Sequence, residues 1–304
     1  MLVDALFSTY IRYRLKRIEL YRDFPLESQV KVLKALVDAG QHTNFGKIHG
    51  FEHIESIADF QQHVPLQDYD TLEPYIQQAI HGAKDVLWPG YTKWFAKSSG
   101  TTGKRIKTLP VTKDSLEHTH YAGGKDLLAC YHQNVPNRKL YSKKHLILGG
   151  SNSLQNIDQH AIVADLSAII IDNLPIWTEF RRVPEKQIVL HADWEEKLML
   201  MAEASIKEDV AIIAGVPSWM TTFGNIVLKH SGKNSLHEVW PNLELYIHGG
   251  MNLAPYQNQL DKLIGNPSMN FVESYNASEG YFGLQDELNS DGLLLLTDAQ
   301  VYYE

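Results

Sequence analysis

The sequence predicts an α/β fold with mainly parallel sheets flanked by helices. Beyond Trp94, short apolar runs alternate with segments of helical periodicity, for example VAIIAG at 210–215 and ELYIHGG at 244–250. Strands that alternate with helices are typical of parallel sheets whose two faces are covered. Before residue 90, the pattern is of helices and connecting segments. We therefore expect a helical N-terminal segment at 1–90, packed on an α/β core at 91–304.

Composition limits the classes of partner and the compartment. The 304 residues are 44% hydrophobic, enough for a large core, and the formal net charge of -8 argues against a dedicated nucleic-acid binder. Cys130 is the single cysteine, so an internal disulfide is excluded, and no Cys/His cluster has the spacing of zinc ligands. We expect a cytoplasmic protein with small-molecule partners and with no nucleic acid, membrane or obligate protein partner.

The first predicted element is an amphipathic helix. Leu2, Leu6 and Tyr10 follow helical spacing, and charged residues interrupt the apolar stretch at every turn, unlike in a signal peptide. No run approaches the roughly 20 apolar residues of a membrane span. We expect this helix to dock on its own domain, and binding to a membrane surface is the alternative.

Two further helices are predicted before the core. ESQVKVLKALVDAG carries an apolar stripe and reaches Gly40, and DYDTLEPYIQQAIHG ends at Gly82. Glycine is favoured at a helix end because it adopts a positive φ at little cost. The two glycines therefore predict where these helices stop.

The core elements then follow in alternation. The predicted strands are KWFAK, IKTLPV, HLILGG, VAIIAG, ELYIHGG, MNFVES and LLLLT, and the predicted helices span 114–131, 193–207, 219–230 and 255–264. Asp193 with Glu196 predicts a capping box, whereas Pro255 and Gly265 indicate the start and end of the last helix. The final LLLLTDAQVYYE predicts a strand, a short turn and a second strand. Because that strand stops at Glu304 without a polar tail, we expect the domain to be incomplete at its C-terminal end.

A stretch between two predicted strands has the composition of a phosphate-binding loop. Small hydroxyl side chains surround two glycines and three cations follow: Ser98, Ser99, Gly100, Thr101, Thr102 and Gly103, then Lys104, Arg105 and Lys107. Glycines let the backbone approach an anion, N–H and O–H groups donate to it, and a lysine offsets its charge. The spacing is not that of a P-loop NTPase. A polar hairpin turn is the alternative interpretation.

A second candidate is ESYNASEGYFG at 273–283, which follows a predicted strand. Ligands of α/β folds gather at the C-terminal ends of parallel strands, where Tyr275, Asn276, Ser278 and Glu279 would lie. A carboxylate suits Mg²⁺, which takes one or two carboxylate oxygens together with substrate phosphates. Tyr275 is able to stack on a base. The alternatives are a solvated loop acid for Glu279 and simple packing for Tyr275.

A third candidate is LYIHGGMNLAP at 245–255, a strand followed by two glycines. Gly249 and Gly250 would allow a flat ring to approach the backbone before the next helix begins. A strand-to-helix turn also needs glycine for structural reasons alone, so both interpretations stay open.

These three stretches, in this order, resemble the motifs of the adenylate-forming superfamily of acyl-CoA synthetases, luciferases and peptide-synthetase adenylation domains. Within it, the chain is most similar to the Gretchen Hagen auxin-responsive acyl acid amido synthetases of plants and their bacterial relatives. The opening helix, PLQDYDTLEPYI and LWPGYTKWFAKSSGTT resemble the bacterial branch, so the similarity extends over essentially the whole chain. The resemblance implies the large N-terminal domain of that fold, with ATP and Mg²⁺ as cofactors.

The resemblance also implies roles for individual residues. Those around the ATP phosphates would be Ser98, Ser99, Gly100, Thr101 and Thr102, with Lys107 as the loop lysine and Lys104 as the alternative. Those around the adenylate would be Gly249 and Gly250 beside adenine or the acyl adenylate, Tyr275 on adenine, and Ser278 and Glu279 at the α-phosphate and Mg²⁺. Those lining the acyl pocket would be Val216, Trp219 and Met220, for which ordinary core packing is the alternative.

The implied reaction is adenylation of a small carboxylic acid, followed by transfer of the acyl group to an amino acid amine. An acyl-CoA ligase and a non-catalytic nucleotide or acyl-acid binder are the alternatives. The sequence shows no convincing Ser-His-Asp or Cys-His arrangement, and His118 and His120 are expected on a helix surface. Ile106 stands where the superfamily favours proline before the loop lysine. The family's ribose-binding aspartate, hinge and small C-terminal domain would lie beyond Glu304.

Overall fold

The computed structural model describes residues 2–98, 106–135, 140–150, 155–156 and 160–304. Its helices are α1 (Leu2–Asp23), α2 (Pro25–Gly40), α3 (Asn44–Ile48), α4 (Ile57–His63), α5 (Tyr69–Ile80), α6 (Lys113–Ser115), α7 (Tyr121–Asn134), α8 (Leu166–Asp172), α9 (Ile176–Glu179), α10 (Lys186–Val189), α11 (Trp194–Ser205), α12 (Pro217–Ser231), α13 (Leu236–Val239) and α14 (Gln257–Ile264). Its strands are β1 (Trp94–Ser98), β2 (Lys107–Val111), β3 (Lys144–Leu148), β4 (Gln155–Asn156), β5 (Ile162–Asp165), β6 (Arg182–Val183), β7 (Val210–Gly215), β8 (Leu245–His248), β9 (Asn270–Ala277), β10 (Gly280–Leu284) and β11 (Leu294–Leu295). A π-helical turn at Leu116–His120 joins α6 to α7, and 3₁₀ turns lie at Phe51–His53 and Leu140–Ser142.

The described strands form two sheets. The large sheet has the order β11-β10-β9-β8-β7-β3-β6, and the small sheet has the order β2-β1-β5-β4. Strands β9, β8, β7, β3 and β6 are parallel to one another, whereas β10 and β11 are antiparallel additions at one edge. In the small sheet β1 and β5 are parallel, and β2 and β4 pair with them in the antiparallel sense. The predicted α/β class is confirmed, with mixed sheets whose parallel strands form the centre of the larger one.

Helices cover both faces of the large sheet. On one face, α11, α12 and α14 pack around Phe223, Trp240 and Tyr246, which are fully buried. On the other face, α1 and α7 pack around Tyr131 and Val272. Because full burial of an aliphatic or phenylalanine side chain contributes about 1.5–3 kcal/mol, these two layers hold the sheet edge in a defined position.

Helix α1 contacts the core through an ion pair inside the protein. The Arg14 guanidinium donates to the Asp126 carboxylate of α7 over 2.7 Å, and both side chains are more than nine-tenths buried. Burial raises the pKa of Asp126 to about 6, in spite of the neighbouring cation. In the part of the chain that the structure describes, no helix combines the length and the apolar character needed to cross a bilayer.

Several predicted element ends are confirmed. Gly265 follows α14 with φ +68°, and Gly82 follows α5 with φ +86°. Gly40 is the last residue of α2. Asp193 caps α11 by accepting the N–H of Glu196 at 2.8 Å, which is the first half of the predicted capping box.

Two predictions near the C-terminal end are wrong. Helix α14 begins at Gln257, and Pro255 lies in the turn before it. In LLLLTDAQVYYE the structure forms β11 alone, and residues 301–304 do not join a sheet. Instead, the Tyr303 N–H donates to the Gln29 side chain at 2.7 Å, and Tyr302 packs edge-on against Phe60. Contacts with the N-terminal helices therefore replace the strand pairing that the apolar pattern predicted.

Candidate active site

Four parallel strands end at the same edge of the large sheet. The register pairs Leu148 of β3 with Gly215 of β7, and His248 of β8 with Glu273 of β9. Because the carboxyl ends of parallel strands meet at one edge, the segments that follow them share that edge. They carry most of the residues that the sequence singled out.

The turn after β8 contains the two predicted glycines. A Cβ at Gly249 would lie 2.2 Å from the Ser274 carbonyl oxygen, and Gly250 has φ +78°. Packing against β9 therefore requires glycine at 249, and the backbone conformation favours it at 250. Both agree with the interpretation that the turn needs glycine for structural reasons. A role beside adenine stays a prediction.

The hairpin of β9 and β10 carries the second candidate segment. Ala277 pairs with Gly280, so Ser278 and Glu279 form a two-residue turn at its tip. Tyr275 is 55% exposed, with its ring 5.3 Å from that of Phe282. Glu279 is exposed and makes no hydrogen bond or ion pair with the described residues. An aromatic face and a carboxylate are therefore both available to a ligand at the sheet edge.

The hairpin of β1 and β2 carries the loop with phosphate-binding composition. Ser98 pairs with Lys107 at its open end, which confirms the predicted order of strand, loop and strand. The Lys107 ammonium lies 5.3 Å from the centre of the Tyr69 ring, and the Tyr69 hydroxyl accepts the Thr108 N–H at 3.0 Å. The residues between the two strands, Ser99, Gly100, Thr101, Thr102 and Lys104 among them, lie outside the described residues.

The β1–β2 hairpin reaches the edge of the large sheet through β5. Lys97, next to Ser98, pairs with Asp165. A Cβ at Gly150, which follows β3, would lie 2.3 Å from Asp165 Oδ2, and the Gly150 N–H donates to Ser167 Oγ at 3.1 Å. Asp165 of β5 thus lies between the end of β1 and the residues after β3, so the β1–β2 hairpin opens beside the same edge.

A buried cation lies under the turn after β3. Lys197 of α11 is fully buried, and its ammonium donates to the carbonyls of Gly149 and Gly150 at 2.8 and 2.7 Å. Burial lowers its pKa to about 8, while Asp165 acts in the opposite direction. Sequence reasoning missed Lys197 because a lysine in a helix pattern is normally solvated.

The residues predicted to line an acyl pocket have different environments. Val216 is half-buried at the N-terminus of α12, 3.6 Å from the Cβ position of Gly250. Trp219 is half-buried and packs edge-on against Trp194 at 5.2 Å between ring centres. Met220 is fully buried in the core of the large sheet. Val216 and Trp219 remain available for a pocket, whereas the environment of Met220 fits the alternative of core packing.

The histidines at 118 and 120 differ from the prediction. His118 is exposed as expected, but His120 is 5% exposed and its Nδ1 lies 2.9 Å from Asn276 Oδ1. Periodicity did not reveal this contact because both histidines lie in the π-helical turn, which changes the face that each residue presents. His248, at the end of β8, was also not singled out. It is 4% exposed, and burial lowers its pKa to about 4.

Among the described residues, few side chains are placed to bind a magnesium ion. No three His, Cys, Asp or Glu side chains cluster among them. Magnesium usually keeps several waters and takes one or two carboxylates with substrate phosphates, so the exposed carboxylate of Glu279 fits this type of site.

A cavity of about 180 Å³ lies elsewhere, between α1, α7 and the segment after β10, and includes Cys130 and Asp286 in its lining.

Comparison with known proteins identifies the family. The model of the GH3 family N-terminal domain matches residues 14–269. The chain belongs to the GH3 family. The matched region contains the β1–β2 hairpin and the turn after β8, and it ends just before β9. This confirms the family that the motifs predicted.

Solved structures show the same fold for this GH3 chain. AtGH3.15 acyl acid amido synthetase in complex with 2,4-DB matches with a TM-score of 0.75 at 16% identity, over 92% of this chain and 58% of that chain. A 2-hydroxyisobutyryl-CoA ligase in complex with 2-HIB-AMP and CoA matches with a TM-score of 0.55 at 13% identity, over 88% of this chain and 53% of that chain. At such identities the likeness establishes the adenylate-forming fold. A search of curated protein sequences finds no match.

Proposed function

We propose that this GH3 chain activates a small carboxylic acid as an acyl adenylate and transfers the acyl group to an amino acid amine. A carboxylate oxygen attacks the α-phosphorus of ATP, and pyrophosphate leaves. The amine then attacks the acyl carbon, AMP leaves, and the nitrogen loses a proton. Because neither step needs a protein nucleophile, positioning and charge neutralisation supply the catalysis.

The observation that carries this proposal is the convergence of the β1–β2 hairpin and the ends of the parallel strands at one edge of the large sheet. Ser98 and Lys107 lie at the mouth of the hairpin, beside the end of β3. Tyr275 and Glu279 lie at the end of β9, three strands away in the same sheet. An adenylate has an anionic phosphate, a flat base and an acyl group, and this edge offers a partner of matching chemistry for each.

Each side chain would have a separate task. The hairpin residues, from Ser98 to Thr102, would donate to the phosphates, and Lys107 would offset their charge. Tyr275 would stack on adenine beside Gly249 and Gly250, while Ser278 would reach the α-phosphate. Glu279 would hold Mg²⁺, which supplies neutralisation of phosphate charge when bound. Val216 and Trp219, with Met220 behind them, would face the acyl chain.

The second step distinguishes an amido synthetase from an acyl-CoA ligase. Membership of the GH3 family and the higher TM-score with AtGH3.15 than with the CoA ligase favour an amine acceptor. The chain spans 58% of the length of AtGH3.15. The transfer step, the identity of the acid and a cytoplasmic location are therefore proposals. The alternative to be tested is a protein that binds an adenylate but does not turn it over.

Release of pyrophosphate tests the proposal directly. The chain is mixed with ATP, Mg²⁺ and a panel of aromatic and aliphatic acids, and we expect pyrophosphate with at least one acid. Product masses with amino acids and with CoA then separate the two ligases. Binding of ATP without pyrophosphate from any acid would instead indicate a binder.

Substitution of Glu279 tests the site. Glu279→Gln keeps the size of the side chain but removes the charge, so we expect the Mg²⁺ concentration needed for ATP binding to rise about tenfold or more. Glu287→Gln removes the charge of another exposed acid, which lies after the far end of β10 and away from the turn; it is the control and should leave this requirement unchanged. Equal responses of the two variants would remove Glu279 from the magnesium site.

A further inference from the structure

The π-helical turn between α6 and α7 connects the two sheets. Val111 before the turn and Leu116 at its first position pack with Ala164 in the core of the small sheet. After it, Leu127 and Tyr131 pack on the large sheet. One additional residue in a helix rotates the following side chains by about 100°, so the turn redirects the helix from one core to the other.

The same turn contacts the β9–β10 hairpin directly. Thr119 Oγ1 donates to the Ala299 carbonyl at 2.9 Å, and a Cβ at Gly280 would lie 3.3 Å from Thr119 Cγ2. At the start of α7, a Cβ at Gly123 would lie 2.4 Å from the Tyr281 ring. The turn and the start of α7 are therefore in close contact with Gly280 and Tyr281, the first two positions of β10.

The hairpin needs such support because of its turn. Neither Ser278 nor Glu279 has a positive φ. The two-residue turns that match the natural twist of a hairpin, types I′ and II′, require a positive φ in at least the first of these positions. Contacts from outside the hairpin must therefore help to hold Ser278 and Glu279 in place.

The contact between His120 and Asn276 is the polar part of this support. His120 is buried and burial lowers its pKa, so the ring is neutral at pH 7 and carries one proton. Since Asn276 Oδ1 is able only to accept, that proton is on Nδ1. Asn276 itself is exposed, and its Nδ2 makes no hydrogen bond with the described residues.

We propose that His120 is a positioning residue, which holds the Asn276 amide so that Nδ2 donates to an oxygen of the bound nucleotide. With Oδ1 engaged by the buried imidazole, the orientation of the amide is fixed, and its Nδ2 group is left to donate to a ligand at the exposed end of β9. This inference rests on the proposed function, since it requires a nucleotide at the edge of the sheet. It assigns a ligand contact to Asn276 and an indirect role to a histidine that lies 156 residues away in the sequence.

Binding of Mg²⁺–ATP to the whole chain, measured by calorimetry, tests this inference. Asn276→Ala removes the donor at an exposed position, and His120→Phe removes the imidazole N–H but keeps a buried ring. We expect each to weaken ATP binding about tenfold, as for one lost hydrogen bond to a charged group. The double variant should bind no more weakly than Asn276→Ala alone, because His120 acts through Asn276.

Two further variants separate positioning from a structural effect. His120→Gln supplies an amide N–H that is able to reach Asn276 Oδ1, so it should recover part of the binding that His120→Phe loses. His118→Phe, in the same turn but exposed, should bind ATP like the wild type. If His120→Phe does not fold, Asn276→Ala and His120→Gln still decide the outcome.

The possible failures are distinguishable. If the wild type binds ATP and Asn276→Ala binds it equally well, the inference is overturned and the proposed function stands. Additive losses in the double variant would also overturn it, since they would mean that His120 acts independently of Asn276. If the wild type binds no ATP, both proposals fall together.

Discussion

The two hairpins at the candidate site are built in opposite ways. Hairpin β1–β2 is joined by residues 99–106, and its strands pair over their whole length from Trp94 to Ser98. Hairpin β9–β10 is joined by Ser278 and Glu279 alone and is supported by the π-helical turn behind it. The role proposed for the first hairpin rests on its own residues, whereas that proposed for the second also depends on residues that are distant in the sequence.

The largest effect is expected at the first hairpin. Lys107→Met should slow adenylation about a hundredfold, because removal of one preorganised donor from a developing anion costs roughly that much. Exchange of labelled pyrophosphate into ATP measures it. Lys104→Met is the comparison: a greater loss in that variant would make Lys104 the loop lysine.

The second hairpin should be the more sensitive to acid. His248, at the end of β8, is bonded to β9: its backbone carbonyl accepts a hydrogen bond from the Ser274 hydroxyl at 3.1 Å. Burial lowers the pKa of the His248 ring to about 4. The folded state therefore favours the neutral ring. Below pH 6.5 the unfolded chain takes up a proton on this histidine that the folded protein does not. The free energy of unfolding therefore keeps its full value above pH 6.5 and decreases by about 3 kcal/mol as the pH falls towards 4.

The pH dependence of unfolding checks this expectation. His248→Gln should flatten the change in unfolding free energy between pH 6.5 and 4. Residues 94–112 contain no histidine, so hydrogen exchange at pH 5 should increase more in β9 and β10 than in β1 and β2. Equal increases in the two hairpins would contradict the assignment.

Helix α7 offers a matched pair of glycines to test the support of the second hairpin. A Cβ at Gly123 would meet the Tyr281 ring, whereas nothing lies within 4 Å of a Cβ at Gly124. We expect Gly123→Ala to destabilise the protein by about 1–3 kcal/mol, since the helix and hairpin must separate. Gly124→Ala should stabilise it by up to about 1 kcal/mol through helix propensity. Chemical denaturation of both variants gives the comparison, and similar values would show that the hairpin does not rest on α7.

The smallest effect is expected from the hydroxyls of the first hairpin. Ser99→Ala with Thr102→Ala should weaken ATP binding by about tenfold, because the net contribution of each hydroxyl is about 1 kcal/mol or less once the phosphate oxygen it leaves is hydrated. Calorimetry on the folded variant measures this, with the unfolding midpoint as the control. Unchanged affinity would favour the interpretation of this loop as a polar turn.

Much of the architecture was predictable because it depends on local patterns. The strand at 210–215 and the end of α14 at Gly265 follow from apolar runs and from the conformational freedom of glycine. The strand predicted at the end of the chain is not formed: the Tyr303 N–H donates to the Gln29 side chain of α2 and not to a neighbouring strand. Alternating apolar residues indicate a buried face but not which neighbour covers it.

The candidate site shows the same division. By itself, the sequence determined the α/β class, the family, and the residue types that suit a nucleotide: small hydroxyls and glycines at 98–103, and an aromatic and a carboxylate at 275 and 279. The tertiary structure alone decided that Lys197 lies under the turn after β3 and that His120 meets Asn276. Secondary structure and motifs arise from residues a few positions apart, whereas burial and long-range hydrogen bonds depend on how two sheets and a redirected helix pack together.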